Sequence, residues 1–174
     1  GMNRFTPQMR ALDWLTARPI THRGLHKKVV GIIENTASAF DAAIAANYAI
    51  ECDLQITADG EAVVYHDETL DRLSDATGLV KHQTVKALQR IPFKIGRDRM
   101  QSLGELLDQV NGKVPLIIEL KSHWDGDLAL ALRSLKVLES YSGAYCLMSF
   151  DIDLVAAVAE YSPATIRGIV ADRT

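Results

Sequence analysis

Leu116–Lys121 reads LIIELK and Ile50–Leu54 reads IECDL, and the alternation inside these two stretches decides the fold. In a strand, successive side chains point to opposite faces. One face of the first stretch then carries Leu116, Ile118 and Leu120, and the other Ile117, Glu119 and Lys121. The second divides into Ile50, Cys52 and Leu54 against Glu51 and Asp53. A parallel strand covered on both sides is expected to be apolar throughout. Acids that interrupt two apolar runs near their C-terminal ends mark a site rather than a core.

Outward from these stretches, strands are predicted at Pro19–His22, Tyr48–Asp53, Ala62–His66, Val114–Lys121, Ala144–Phe150 and Thr165–Ala171. Helix-period segments lie between them at Asn35–Ala46, Val85–Arg90, Ser102–Val110, Leu128–Ser140 and Ile152–Tyr161. Strands alternating with helices predict βαβ units and a parallel sheet, an α/β fold of the (β/α) TIM-barrel type. A leading helix is predicted over Pro7–Ala17, with Thr6 as its cap and Met9, Leu12 and Trp14 available to cover the barrel bottom. The stretch Glu68–Arg99, with Gly78, Pro92 and Gly96 among scattered charges, reads as a long loop holding one short helix. Residues 1–174 form one domain in this reading. A full eight-unit barrel needs about 250 residues, so about six of eight βα units are expected, with the C-terminal units lacking. The missing wall would come from a longer polypeptide or from a second copy in a homo-oligomer.

Composition narrows the function classes. The chain is 48% hydrophobic and 24% charged, with a net charge of −3, so no basic excess points to nucleic acid or an anionic membrane surface. No window approaches the roughly 18 consecutive apolar residues of a membrane span, and the N-terminal stretch lacks the apolar core of a secretory signal. A cytoplasmic location is the simplest expectation. Cys52 and Cys146 sit in apolar runs without ligand spacing and read as buried residues.

Five segments are read as placing polar groups at strand ends: His22-Arg23-Gly24, Glu34-Asn35-Thr36, Glu51-Cys52-Asp53, His66-Asp67 and Glu119-Leu120-Lys121. In a (β/α) barrel the C-terminal strand ends converge on one mouth. Glu51, Asp53 and Glu119 would then crowd three carboxylates together, a conflict that a hard divalent cation with oxygen ligands, Mg²⁺ or Ca²⁺, removes. Zinc fits less well, since no His or Cys pair shows its ligand spacing. His22 and His66, read as ending the first and third strands, would stand on either side of the acids, roughly 10 Å apart. A phosphate between them could be cleaved with one imidazole accepting a proton and the other supplying one. Arg23 and Lys121 would neutralise its remaining charge. The small-molecule partner implied is a phosphodiester. Glu34 has two readings, a substrate-side acid or an acid in a first helical turn stabilised by the dipole. Asp67 reads as a turn former and Arg72 as structural, while His26, His82 and His123 receive no role.

The segments His22–Gly24, Glu34–Phe40, Glu51–Gly60, Val63–Arg72 and Glu119–Lys121, taken in order, closely resemble the glycerophosphodiester phosphodiesterase family, with Ser149-Phe150 echoing a later strand-end motif. The resemblance implies a (β/α)₈ barrel that hydrolyses glycerophosphodiesters to glycerol 3-phosphate and an alcohol. It also implies Glu51, Asp53 and Glu119 as metal ligands, His22 and His66 as the acid–base pair, and Arg23 and Lys121 on the phosphate. Two departures touch the substrate-facing side: Ile33 replaces the usual proline, and the loop between Gly24 and Glu34 is longer. A phospholipase D-like phosphodiesterase, a metal-dependent barrel lyase and a degenerate non-catalytic barrel remain as competing readings.

Overall fold

The computed structural model describes residues 19–27, 31–165 and 167–169. The helix predicted over Pro7–Ala17 lies outside these residues. The elements run in the order β1 (Ile20–His22), α1 (Ala37–Ala45), β2 (Ala49–Ile56), β3 (Ala62–Val64), a 3₁₀ turn (Val80–His82), α2 (Val85–Arg90), α3 (Leu103–Val110), β4 (Leu116–Leu120), α4 (Ala129–Leu138), β5 (Tyr145–Ser149), α5 (Ile152–Tyr161) and β6 (Arg167–Ile169). Five strands form a parallel path, β1-β2-β4-β5-β6, with helices in the crossovers. That is a partial (β/α) barrel, as the strand–helix alternation predicts.

The third strand corrects the sequence reading. β3 is not a parallel barrel strand: it pairs antiparallel with the end of β2, Leu54 opposite Val64 and Ile56 opposite Ala62. Only Thr57–Glu61 separates the two strands. A parallel return needs a dozen or more residues, whereas a short Asp-Gly turn makes a hairpin. Asp59-Gly60 supplies that turn, with Gly60 at φ +78°. His66 therefore does not end a third barrel strand, and the two-strand spacing between the imidazoles does not apply.

Parity along β2 and β4 builds the main core. Ile50, Cys52, Leu54 and Ile56 join Leu116, Ile118 and Leu120 in one buried cluster with Phe40 of α1, Leu106 of α3, Leu130 of α4 and Leu154 of α5. Burying each large side chain contributes roughly 1.5–3 kcal/mol. Both cysteines are free and buried, as expected. Helix starts are fixed by local polar groups: Thr36, Ser102 and Asp151 cap α1, α3 and α5, and Ser102 with Glu105 forms a capping box.

The segment Glu68–Arg99 is not a loose loop. Val63 and Tyr65, on the opposite parity from Ala62 and Val64, seed a second buried cluster with Ile33, Leu70, Leu73, Val80, Leu88, Phe93 and Met100. The Tyr65 and Phe93 rings stack with centroids 6.5 Å apart. Ile33, where the resemblance would have proline, is one of the residues packed in this cluster.

Candidate functional site

The parity that buries Ile50, Cys52 and Leu54 against the helices turns Glu51, Asp53 and Gln55 the other way. In the β2–β4 register Asp53 lies opposite Glu119. One carboxylate oxygen from each of Glu51, Asp53 and Glu119 lies within 4.8 Å of the others, and all three residues are buried. Oxygens bound to one hard cation at about 2.0–2.6 Å would be no more than about 5 Å apart, so the spacing fits a shared divalent ion. Burial, then the charges of Asp53 and Glu119, pushes the Glu51 carboxyl up to about 9. Its Oε2 is buried without a hydrogen-bond partner. An all-oxygen donor set with one buried oxygen lacking a hydrogen-bond partner could hold a divalent cation.

The acids are nevertheless not without counter-groups. His22 Nε2 stands 3.1 Å from Glu51 Oε2 without forming a hydrogen bond, and Lys121 Nζ is 3.3 Å from Glu119 Oε2. Arg23 Nε lies 3.5 Å from Asp53 Oδ2, and it too is buried with no hydrogen-bond partner. Each carboxylate thus faces one cationic or titratable side chain from a strand end. Burial, followed by the charge on Arg23, lowers the His22 imidazole below its ordinary value.

Two tight turns hold these groups. Arg23 and Asn35 both adopt left-handed backbone, φ +60° and +55°, a conformation Asn tolerates better than most side chains. The turns are knitted together: Arg23 N–H donates to the Glu51 carbonyl at 2.7 Å and Asn35 N–H to the Arg23 carbonyl at 2.8 Å. Gly24 follows at φ +80°, where a Cβ would sit 2.9 Å from the backbone of Ala39. Only glycine fits both demands. Asn35, named from sequence merely as part of a motif, donates from Nδ2 to Asp53 Oδ2 at 3.1 Å and orients that carboxylate.

Glu34 precedes the cap Thr36 and lies outside the first turn of α1, so the helix dipole does not account for it. Its carboxylate instead accepts from Arg23 NH1 at 3.0 Å and Arg72 NH1 at 2.8 Å. Burial works to raise it, but the Arg72 hydrogen bond and the charges of Arg23 and Arg72 hold it below its usual value. Asp67 is likewise more than a turn former. Its Oδ1 is 2.8 Å from His66 Nδ1, and Arg72 grips both its oxygens at 2.7 and 3.0 Å. That grip, with His66 beside it, holds the Asp67 carboxyl down to about 2. The turn carrying His66 and Asp67 is fixed from β2, where Gln55 Nε2 donates to the carbonyls of Tyr65 and Asp67 at 2.9 and 2.6 Å. Gln55 was missed in sequence; it shares the parity of Glu51 and Asp53, which is the signal that could have found it.

His66 and Glu119 line one cavity of about 760 Å³, which continues past Lys121 and His123 to Trp124 and Phe150. His123, given no role from sequence, is thus in the cavity wall. Trp124 is 66% exposed and has left-handed backbone, φ +56°. Among the described residues no helix is long and apolar enough to cross a membrane.

A family model described as the glycerophosphoryl diester phosphodiesterase family matches residues 22–174. A glycerophosphodiester phosphodiesterase of Caldanaerobacter subterraneus is 37% identical over 111 residues, covering 59% of this chain and 44% of that protein. Another from Bacillus subtilis is 28% identical over 168 residues, covering 83% and 56% respectively. The chain therefore spans about half the length of these relatives. Among solved structures, a phosphodiesterase of Oleispira antarctica in complex with the product sn-glycerol-3-phosphate superposes with a TM-score of 0.78 at 22% identity, a likeness of fold covering 88% of this chain and 66% of that one.

Proposed function

The chain belongs to the glycerophosphoryl diester phosphodiesterase family, and on that premise we propose that its site serves metal-dependent hydrolysis of glycerophosphodiesters to glycerol 3-phosphate and an alcohol. The observation that carries this reading is the meeting of three buried carboxylates from β2 and β4 within 4.8 Å, with His22 against Glu51 and His66 on the cavity that Glu119 shares. Glu51, Asp53 and Glu119 would hold Mg²⁺ or Ca²⁺, which when bound polarises a phosphoryl oxygen.

The remaining work falls to side chains of this chain. Arg23 and Lys121 stand beside the acids and would bind the phosphate's other oxygens, the Arg23 Nε–H lacking a hydrogen-bond partner in the protein. Of His22 and His66, one accepts the nucleophile's proton as the new P–O bond forms, and the other delivers a proton to the departing alkoxide. His66 suits such transfer because its Nδ1 is engaged by Asp67, which leaves Nε2 as the atom that exchanges a proton. Glu34 acts on the substrate side through Arg23, which it holds at 3.0 Å.

Incubation with glycerophosphocholine and Mg²⁺ or Ca²⁺, with and without EDTA, tests the reading. The expected result is EDTA-sensitive release of glycerol 3-phosphate. His22→Ala and His66→Ala should each lose turnover with metal affinity nearly kept, whereas Glu51→Ala should lose the metal. Absence of product with either metal, from protein that binds the ion calorimetrically, would sink the assignment.

A further inference from the structure

Arg72 comes from the segment that carries the second core, and its guanidinium closes on two carboxylates, Asp67 five residues before it and Glu34 from the turn ahead of α1. Nε and NH2 donate to the two oxygens of Asp67 at 2.7 and 3.0 Å, a bidentate grip, and NH1 donates to Glu34 Oε1 at 2.8 Å. Neither carboxylate is an end point. Asp67 Oδ1 also meets His66 Nδ1 at 2.8 Å, and Glu34 Oε2 accepts from Arg23 NH1 at 3.0 Å. Arg23 in turn stands 3.5 Å from Asp53. A continuous path, His66–Asp67–Arg72–Glu34–Arg23–Asp53, therefore joins a hairpin-borne imidazole to the acids of the barrel.

We propose that Arg72 is a positioning residue of this site, fixing the His66 imidazole through Asp67 and the Arg23 guanidinium through Glu34 at the same time. The proposal rests on the phosphodiesterase reading for its catalytic consequence, but its geometric content stands apart from it. An ordinary surface ion pair contributes little because both partners stay solvated. Here Glu34 is only 6% exposed, and its second oxygen is already committed to Arg23. Removing Arg72 would leave a buried carboxylate half-satisfied, which costs more than the lost contact alone. The planar fork matters as much as the charge, since a lysine ammonium cannot span both Asp67 oxygens and Glu34 in one plane. The backbone beneath Arg72 is firm: Leu70 and Leu73 are buried in the second cluster, and the Ser74 hydroxyl donates to the Leu70 carbonyl at 2.7 Å.

For His66 the consequence is a fixed tautomer. A carboxylate held immobile at Nδ1 keeps the proton on that nitrogen and the ring plane constant, and losing such a partner in metal sites typically costs about 10–100-fold in activity. Arg72→Lys and Arg72→Ala in the full chain test this by two readouts. Nitrogen–carbon correlation spectra of the histidines report the tautomer without any turnover, and steady-state kinetics report kcat and KM. Expected are a His66 ring fixed with Nδ1 protonated in the parent and tautomer averaging in both variants. A fall in kcat of about 10–100-fold with unchanged metal affinity should accompany it, and guanidinium ion should partly rescue Arg72→Ala but not Arg72→Lys. A His66 tautomer that stays fixed in a folded Arg72→Lys protein would overturn the proposal, as would kcat within twofold of the parent. If Arg72→Ala does not fold, the lysine variant carries the test. A parent that hydrolyses nothing would refute the phosphodiesterase reading while the tautomer spectra still decide the role of Arg72.

Discussion

The acid cluster and the hairpin side of the site are built by different means. Glu51, Asp53 and Glu119 hang from two strands whose register is set by ladder hydrogen bonds and whose other face lies in the main core. Their mutual distance follows from the sheet, and a shift of one residue would send every apolar partner to the wrong face. His66, Asp67 and Arg72 instead sit on a turn and a segment stabilised by the second cluster and tied across by side-chain ion pairs. One half of the site is positioned by backbone pairing and the other by side-chain contacts, so the two halves should fail differently when perturbed.

The largest expected effect tests the strand-built half. Glu119→Ala removes a proposed ligand and one of the charges that raise Glu51. Loss of the ion would forfeit several kcal/mol of transition-state stabilisation, on the order of 10³-fold in kcat/KM. Parent protein at 100 times Kd of Ca²⁺ or Mg²⁺ should gain about 2.7 kcal/mol of unfolding free energy, and the variant should gain almost none. Equal gains in calorimetric melts would show that the cluster does not hold the ion.

This contrast also explains what the sequence made legible. The parity of LIIELK and IECDL needs only period-two alternation, and it led directly to three acids that share a face. The boundaries of α2 and α5 followed from their apolar spacing and agree with the structure to the residue. The direction of β3 was misread although five intervening residues carried the answer. The second core was hidden for another reason: Leu70, Leu73, Val80, Leu88 and Phe93 show no single period, and they gather only because Val63 and Tyr65 offer them a sheet face. The contacts of Asp67 and Arg72 depend on that assembly and no local pattern marks them, whereas Gln55 is marked by the parity it shares with Glu51 and Asp53.

A medium effect probes the second core itself. Leu88 of α2 is 1% exposed, and Leu88→Ala should cost about 2–5 kcal/mol through lost burial and cavity formation. Hydrogen exchange should accelerate chiefly between residues 68 and 100, and turnover should drop while metal affinity holds. If exchange in β2 and β4 accelerates to the same degree, the two regions open as one cooperative unit and the distinction between them dissolves.

The smallest effect concerns pH and isolates the ion pairs on the hairpin side. Arg72, with His66, holds the Asp67 carboxyl down to about 2, against about 3.9 in an unfolded chain. A depressed carboxyl stabilises the fold fully above its unfolded value, and that contribution is lost as pH falls through the folded value. The window is therefore roughly pH 4 down to pH 2. Because the groups are partly exposed, screening reduces the contribution to about 1 kcal/mol. Glu34 is also held low and loses stability with the same sign, but it does so in parent and variant alike. Asp67→Asn should thus be less stable than the parent near pH 7 by about that amount, with the gap closing as the pH approaches 2. Urea melts at both pH values measure it. A gap that stays constant would mean that charge on Asp67 contributes nothing to holding the turn, and that the hairpin half is set by packing rather than by ion pairs.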